Sequence, residues 1–318
     1  MKKYTTLELC AGGGGQALGL EQAGFEHLAC VEYESEFCKT LYYNRPKWNV
    51  ICQDIRELDG HKFTKCDLLA GGVPCPPFSI AGKQLGENDD RDMFPSALKL
   101  IEEIHPRGIM LENVKGLMSK KFNDYRDSIV NKLQEHGYQV VYRVLEASDY
   151  GVPQLRPRFV LIALHERDMN HFAWPTPKTE KISVGEAIHD LLGENGWSGA
   201  KVIHTTATTI APTIVGGSKK HGGPDLGPTR AKEQWRKIGI DGMGIANSAP
   251  EADFPVDKMP RLTVRMAARI QGFPDNWQFC GSKTTQYRQI GNAFPPPVAY
   301  ALGTQIKLAF RKADNDKE

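Results

Sequence analysis

The sequence has no long apolar run. Nowhere in its 318 residues does hydrophobic character persist long enough to span a bilayer as a helix. The opening MKKYTTLELC carries two lysines but no apolar stretch before charge and glycine intervene, so no secretory signal is expected. Cysteine pairing signals are also missing. The seven cysteines are odd in number, scattered and without a C-x-x-C pair. That argues against a disulfide framework and against a zinc cluster, so no metal is expected and a reduced, cytoplasmic chain is. Net charge is small, +2, too little to announce a nucleic-acid binder by itself. No internal repeat, heptad or exposed apolar stripe suggests self-association, and a monomer is expected. The length suits one large domain or two modest ones, with enough apolar residues for a sizeable core.

What is present begins with alternation. TTLELC (5–10) reads as a strand running into AGGGG. QALGLEQAG (16–24) reads as a helix stopping at Gly24. HLACVEYE (27–34), DLLAGG (67–72), GIMLEN (108–113) and FVLIAL (159–164) read as further strands, with helices over 93–105 and 125–135 between them. Strands alternating with helices imply an α/β fold, a mostly parallel sheet covered on both faces. The character changes near residue 175, where WPTPKTE looks like a linker. Residues 196–240 are rich in Gly, Thr and Pro and weakly periodic, with seven Lys or Arg against two acids. They read as a second, loop-rich, basic domain, or as a solvated insertion. AYALGTQIKLAFRK (299–312) returns to helix.

Several short stretches could carry chemistry. ELCAGGGGQALGL is a strand, then glycines, then a helix, the arrangement by which open α/β sheets bind a nucleotide-like ligand. It fits G-x-G-x-x-G poorly, since position 17 is Ala. Glu32, about twenty residues on, could accept two ribose hydroxyls, and Asp54 in ICQDI could reach an adenine edge. GGVPCPPFS sets Cys75 among Pro74, Pro76 and Pro77, which fix φ and favour a stiff, extended loop. Such a thiol is either a nucleophile or a small buried hydrophobe. LENV places Glu112 at a strand end, on the same sheet edge as Cys75 if both strands are parallel, which suits nucleophilic attack with acid assistance. In YGVPQLRPRFVLIAL, Arg156 and Arg158 flank Pro157 on the way into a strand. RLTVRMAARIQGFPDNW (261–277) and QYRQIGNAFPPPVAYALG (286–303) complete the set.

Together these blocks resemble the DNA cytosine-5 methyltransferases, in that family's order, over residues 5 to 303. Only the basic 178–258 region stays unaligned, and there APTIVGG (211–217) resembles the Thr-hydrophobic pair of the family's target recognition domain. Three departures are Cys10 where Phe is usual, Pro76 where many members have Gln, and Met266 for a frequent Glu.

The resemblance implies a Rossmann-like, S-adenosylmethionine-dependent methyltransferase fold with a smaller inserted recognition domain. The catalytic domain is expected over 1–174, completed by 286–318, and the recognition domain over 175–285. The implied activity is methyl transfer to C5 of a flipped-out cytosine in double-stranded DNA. Cys75, in the loop begun by Pro74, is the implied nucleophile. Glu112 would bond N3 and the amine, Arg158 would bond O2, and Asn113 would orient the Cys75 loop. S-adenosylmethionine would be held by Cys10, Ala11, Gly12, Gly13, Gly14, Glu32, Asp54, Ile55, Asn292 and Ala293. DNA contacts are expected from Arg230, Lys232, Arg236 and Lys237, with Arg156 as a supporting or phosphate contact. A compact chain of this kind resembles bacterial modification enzymes paired with a restriction endonuclease. An RNA cytosine-5 methyltransferase of the same fold is the alternative.

Overall fold

The computed structural model describes residues 2–75, 92–216 and 224–316. Pro76 and Pro77 of the cysteine loop, with Lys219 and Lys220 of the basic stretch, lie outside them. The strands are β1 (Tyr4–Leu9), β2 (Phe25–Glu32), β3 (Val50–Cys52), β4 (Leu68–Gly71), β5 (Gly108–Val114), β6 (Tyr138–Glu146) and β7 (Pro157–His165). The helices are α1 (Gly15–Ala23), α2 (Ser35–Asn44), α3 (Phe94–Ile104), α4 (Asn123–Glu135), α5 (Glu166–Met169), α6 (Val184–Leu192), α7 (Gly199–Thr206), α8 (Thr229–Lys237), α9 (Val264–Ile270), α10 (Lys283–Asn292) and α11 (Pro296–Asn315).

All seven strands form one sheet, in the order β3-β2-β1-β4-β5-β7-β6. β1 to β5 pair in parallel, and β7 runs antiparallel to β5. The order reverses about β1, which leaves a crevice at the carboxyl ends of β1 and β4, the usual ligand edge of such sheets. β6, unread in the sequence, has a half-exposed pattern and no clean alternation. It lies at the sheet's edge, where one buried neighbour is enough.

Leu7, Leu9, Leu69, Ile109, Leu111 and Leu161 face one side of the sheet and pack on Phe94, Ile101, Ile104, Ile129 and Leu133 of α3 and α4. The other side is covered by α1 and α11. Tyr4 stacks on Phe310 of α11, with ring centroids 5.4 Å apart, and Lys307 donates to the Ala23 carbonyl at the end of α1. Burial on both faces explains the near-continuous apolar strands.

The chain forms two compact units. The first comprises Met1–Leu145, Pro157–Thr176 and Ala299–Glu318, the second Glu146–Arg156 and Pro177–Val298. Residues 146–156 and 286–298 thus belong to the second unit, whereas the expected boundaries put them with the catalytic domain. The stretch read as weakly periodic contains α7 and α8. α8 buries only Trp235, so its apolar signal rests on a single residue. No helix is long and apolar enough to cross a membrane among the described residues.

Candidate active site

The carboxyl ends of β1, β2, β4 and β5 bring most of the expected residues of the first unit to one edge. β7 joins them because it is antiparallel. Its first residues meet the end of β5, with Arg158 opposite Val114 and Val160 opposite Glu112. Glu112 Oε1 and Arg158 Nε lie 2.9 Å apart, both largely buried. Such a pair is electrostatically strong away from water, and loss of one partner would leave a buried charge.

Cys75 follows β4 by four residues. Its thiol donates to Asn113 Oδ1 at 2.8 Å. The Asn113 amide in turn donates from Nδ2 to the Val73 carbonyl at 2.8 Å, and its Oδ1 accepts the Val114 N–H at 2.8 Å. One buried amide therefore fixes both ends of the cysteine arm. The Pro74 carbonyl accepts the Met93 N–H at 3.0 Å. Beside it, Asp92 accepts from the Tyr125 hydroxyl and the Phe94 N–H. Burial pushes the Cys75 thiol up to about 12, with the charges of Asp92 and Glu112 adding to it against the Asn113 hydrogen bond. In this state the sulfur is a thiol, not a thiolate.

At the other end of the edge, the loop after β1 turns on Cys10 (φ 53°) and Gly14 (φ 86°), and Gly14 caps α1. The left-handed region is ordinary for glycine and costly for cysteine. The Gly12 N–H donates to Glu32 Oε2 at 2.8 Å and the Glu34 N–H to Oε1 at 2.9 Å. Burial pushes the Glu32 carboxyl up against the pull of those N–H groups. Asp54 caps a short turn beginning at Ile55, and both of its oxygens engage Arg56. Those hydrogen bonds hold Asp54 low. Three residues the sequence did not single out join this end. Glu8 on β1 and Gln16 on α1 are buried, and among the described residues neither side chain has a hydrogen-bond partner. Burial and the nearby Glu112 push Glu8 well up. Tyr33, beside Glu32, is exposed. The signal for Glu8 was available, since an acid in the middle of an otherwise apolar central strand is unusual.

Arg156 is corrected as a phosphate contact. It is fully buried in the second unit. Its guanidinium donates to the carbonyls of Ile214 at 2.7 Å, Gly291 at 2.6 Å and Ala293 at 3.0 Å. A side chain enclosed by backbone cannot reach a phosphate, so its role is the supporting one. Asn292 and Ala293 end α10 in that unit, and the Ala293 carbonyl also accepts from Gln271. On α8, Lys232 pairs with Asp225 at 2.7 Å and Arg236 with Glu233 at 2.8 Å. Arg230 and Lys237 are exposed.

An open α/β sheet with a glycine loop and acid at one end of its ligand edge, and a thiol beside a buried carboxylate–guanidinium pair at the other, defines a two-substrate group-transfer enzyme. Residues 4–308 match the family model described as C-5 cytosine-specific DNA methylase. The chain is 51% identical over 313 residues to Type II methyltransferase M.NaeI of Lentzea aerocolonigenes, covering 97% of this chain and 76% of that one. It is 51% identical over 314 residues to Type II methyltransferase M.NgoMIV of Neisseria gonorrhoeae, covering 98% and 99%. The fold is shared with Entamoeba histolytica methyltransferase EhMeth (TM-score 0.68, 17% identity, all of both chains) and with Spodoptera frugiperda DNMT2 (TM-score 0.65, 19% identity, 97% of this chain and 100% of that one). The chain belongs to the C-5 cytosine-specific DNA methylase family, and its activity is methylation of cytosine at C5 in DNA.

Proposed function

We propose that this chain is the modification enzyme of a Type II restriction-modification pair, with Cys75 as its nucleophile. The observation that carries the site assignment is the Cys75 thiol, held at 2.8 Å by Asn113, whose neighbour in sequence, Glu112, is paired to Arg158. The modification role is supported by the two Type II relatives at 51% identity.

C5 of cytosine is a poor nucleophile until electrons are pushed into the ring. Cys75 sulfur gives its proton to water and adds to C6, and the C5–C6 electron pair becomes available at C5. Glu112 accepts from the exocyclic amine and delivers a proton to N3. Arg158 donates to O2. Both disperse the charge that the thiolate brings. S-adenosylmethionine, when bound, supplies the methyl group as an electrophilic carbon that C5 attacks. N3 then returns its proton to Glu112, water takes the C5 proton, whose bonding pair restores the C5–C6 double bond as the C6–S bond breaks, and Cys75 departs with its electron pair. C5 and C6 are hidden within a stacked duplex, so the target cytosine flips out at a cost of a few kcal/mol.

The cofactor residues fit a polar, adenosine-bearing ligand. Glu32 is positioned by two N–H groups yet keeps lone pairs for ribose hydroxyls. Glu8 and Gln16 are buried polar groups lacking partners among the described residues, the condition a polar ligand relieves. Cys10 to Gly14 offer backbone without bulk, Asp54 and Ile55 bound the adenine end, and Tyr33 could stack on a purine. Asn292 and Ala293 remain candidates for the amino-acid end. On α8, Arg230 and Lys237 are the stronger candidates for DNA phosphate, because Lys232 and Arg236 already hold carboxylates.

The test is bisulfite sequencing of DNA from a host without cytosine methylation, expressing this chain or its Cys75→Ser variant. Methylcytosine in one short sequence context, lost in the variant, is expected. Methylation that survives the variant would remove Cys75 from the mechanism.

A further inference from the structure

A basic ledge in the first unit lies beside the Glu112–Arg158 pair and has no part in the chemistry above. β5 ends at Val114, and the chain then makes two tight turns, Lys115–Met118 and Lys120–Phe122, before α4. Residues 114–122, VKGLMSKKF, contain three lysines and no acid. Lys115, Lys120 and Lys121 are all exposed. Lys121 lies over the Phe122 ring, 5.0 Å from its centroid. Among the described residues no carboxylate pairs with Lys115 or Lys120.

The ledge is anchored from beneath. Leu117 is buried in the core, and its carbonyl accepts from the buried Arg126 at 3.1 Å. The turn is thereby held while its cations face outward, with Val114 and Met118 also exposed between them. A merely solvated helix face usually mixes signs, as α4 does with exposed Asp124, Asp127 and Glu135 against Lys132. Nine residues with one sign of charge, held on a rigid turn, fit a polyanion better. Lys115 stands three residues beyond Glu112, so its backbone is within about 10 Å of the backbone of the residue read as contacting the target base. The sugar-phosphate groups flanking a flipped nucleotide fall in that range.

We propose that residues 115–121 form a second DNA-contacting surface, on which Lys115, Lys120 and Lys121 bind backbone phosphates flanking the flipped cytosine. The basic helix α8 of the second unit acts independently of it. The inference rests on the reading of Glu112 as a base-contacting group.

The experiment compares full-length wild type with a Lys115→Ala/Lys120→Ala/Lys121→Ala variant and with the corresponding triple arginine variant. Affinity for a methylatable duplex is measured over a salt series. Each phosphate contact adds about 0.9 to the slope of log affinity against log salt. The alanine variant should lower that slope by about two to three. It should also weaken binding roughly tenfold or more near physiological salt, with S-adenosylmethionine binding and melting temperature unchanged. The arginine variant should restore the slope, because phosphate contact needs charge rather than lysine itself. If the triple alanine variant fails to fold, the three single alanine variants decide, each expected to lose about 0.9. An unchanged slope in either set overturns the proposal. Glu112→Gln separates the two readings. It should cripple transfer while leaving the salt slope intact, so full transfer in that variant would sink the Glu112 reading and leave the slope result standing on its own.

Discussion

The two units satisfy their backbones in different ways. In the first, the ladder of a seven-stranded sheet pairs the backbones of the buried central strands, and side chains are left over for chemistry. Among the described residues the second has no extended strand of its own beyond the start of its first segment, only helices and isolated bridges such as Gln154 with Ala211 and Ala246 with Thr263. There, buried side chains do what a ladder does elsewhere. Arg156 and Gln271 donate to the Ala293 carbonyl, and Gln154 Oε1 accepts the Ile214 N–H at 2.8 Å. Close packing follows. A Cβ on Gly291 would lie 2.3 Å from the Gly216 nitrogen. The same residue type therefore has opposite meanings two positions apart. Arg158 in the first unit pairs with the Glu112 carboxylate, while Arg156 in the second is enclosed by carbonyls.

The comparison is tested most severely at Cys75. Cys75→Ala should lower methyl transfer by roughly 10⁴-fold or more while the protein stays folded, since the side chain is only partly buried. Single-turnover kinetics beside a thermal melt would check both halves. Alkylation of the same thiol by iodoacetamide in the free enzyme comes next. With its ionisation pushed up to about 12, the thiolate fraction should climb about tenfold per pH unit from pH 7 to 10, about 10³-fold in all. A plateau by pH 8, followed by mass spectrometry of the Cys75 peptide, would contradict the burial argument. Glu112→Gln should cost about 10² to 10⁴ in transfer, the range for a positioned acid or base, with cofactor affinity retained by equilibrium dialysis.

In the second unit the effect should be on stability instead. Arg156→Met leaves the carbonyls of Ile214, Gly291 and Ala293 without that donor, at a cost of about 1–3 kcal/mol for each one left unsatisfied. Denaturant unfolding should show an early transition, while Cys75 alkylation before that transition matches wild type. If Arg156→Met stayed stable and lost only DNA affinity, the supporting role would be wrong. The smallest effect is expected at Asp314 on α11. Burial opposes its ionisation, but hydrogen bonds from Arg107, Lys2 and Tyr4 hold its carboxyl well below the ordinary range. A depressed carboxyl stabilises the fold above its unfolded value near 4 and loses that contribution as pH falls. Asp314→Asn should cost about 1–2 kcal/mol at pH 7, and melts of the two proteins should converge in acid.

Much of the first unit was legible because its signals are local. Apolar runs of strand length, Gly24 after α1 and Pro106 after α3 mark elements by steric rules that act over a few residues. The ordered blocks around Cys10, Cys75, Glu112, Arg158 and Asn292 carried the family. β6 was missed because an edge strand is half-solvated and its alternation is blurred. The Gln16 amide, without a hydrogen-bond partner among the described residues, was missed because burial depends on what packs above a side chain, which no neighbour in sequence reveals. Residues 196–240 read as loop-rich because α7 and α8 are short and α8 buries a single Trp.

By itself, the sequence determined the α/β class, because local periodicity encodes it directly, and its resemblance to a known family pointed to Cys75, Glu112 and Arg158. Only the tertiary structure decided how they meet. The antiparallel turn of β7 carries Arg158 back to Glu112, and the Asn113 amide ties β5 to the cysteine arm. The fate of Arg156, fixed by carbonyls 58, 135 and 137 residues further along the chain, is set entirely by folding. Hydrogen-bond partners at such separations are chosen by the packed structure, so no local pattern could have announced them.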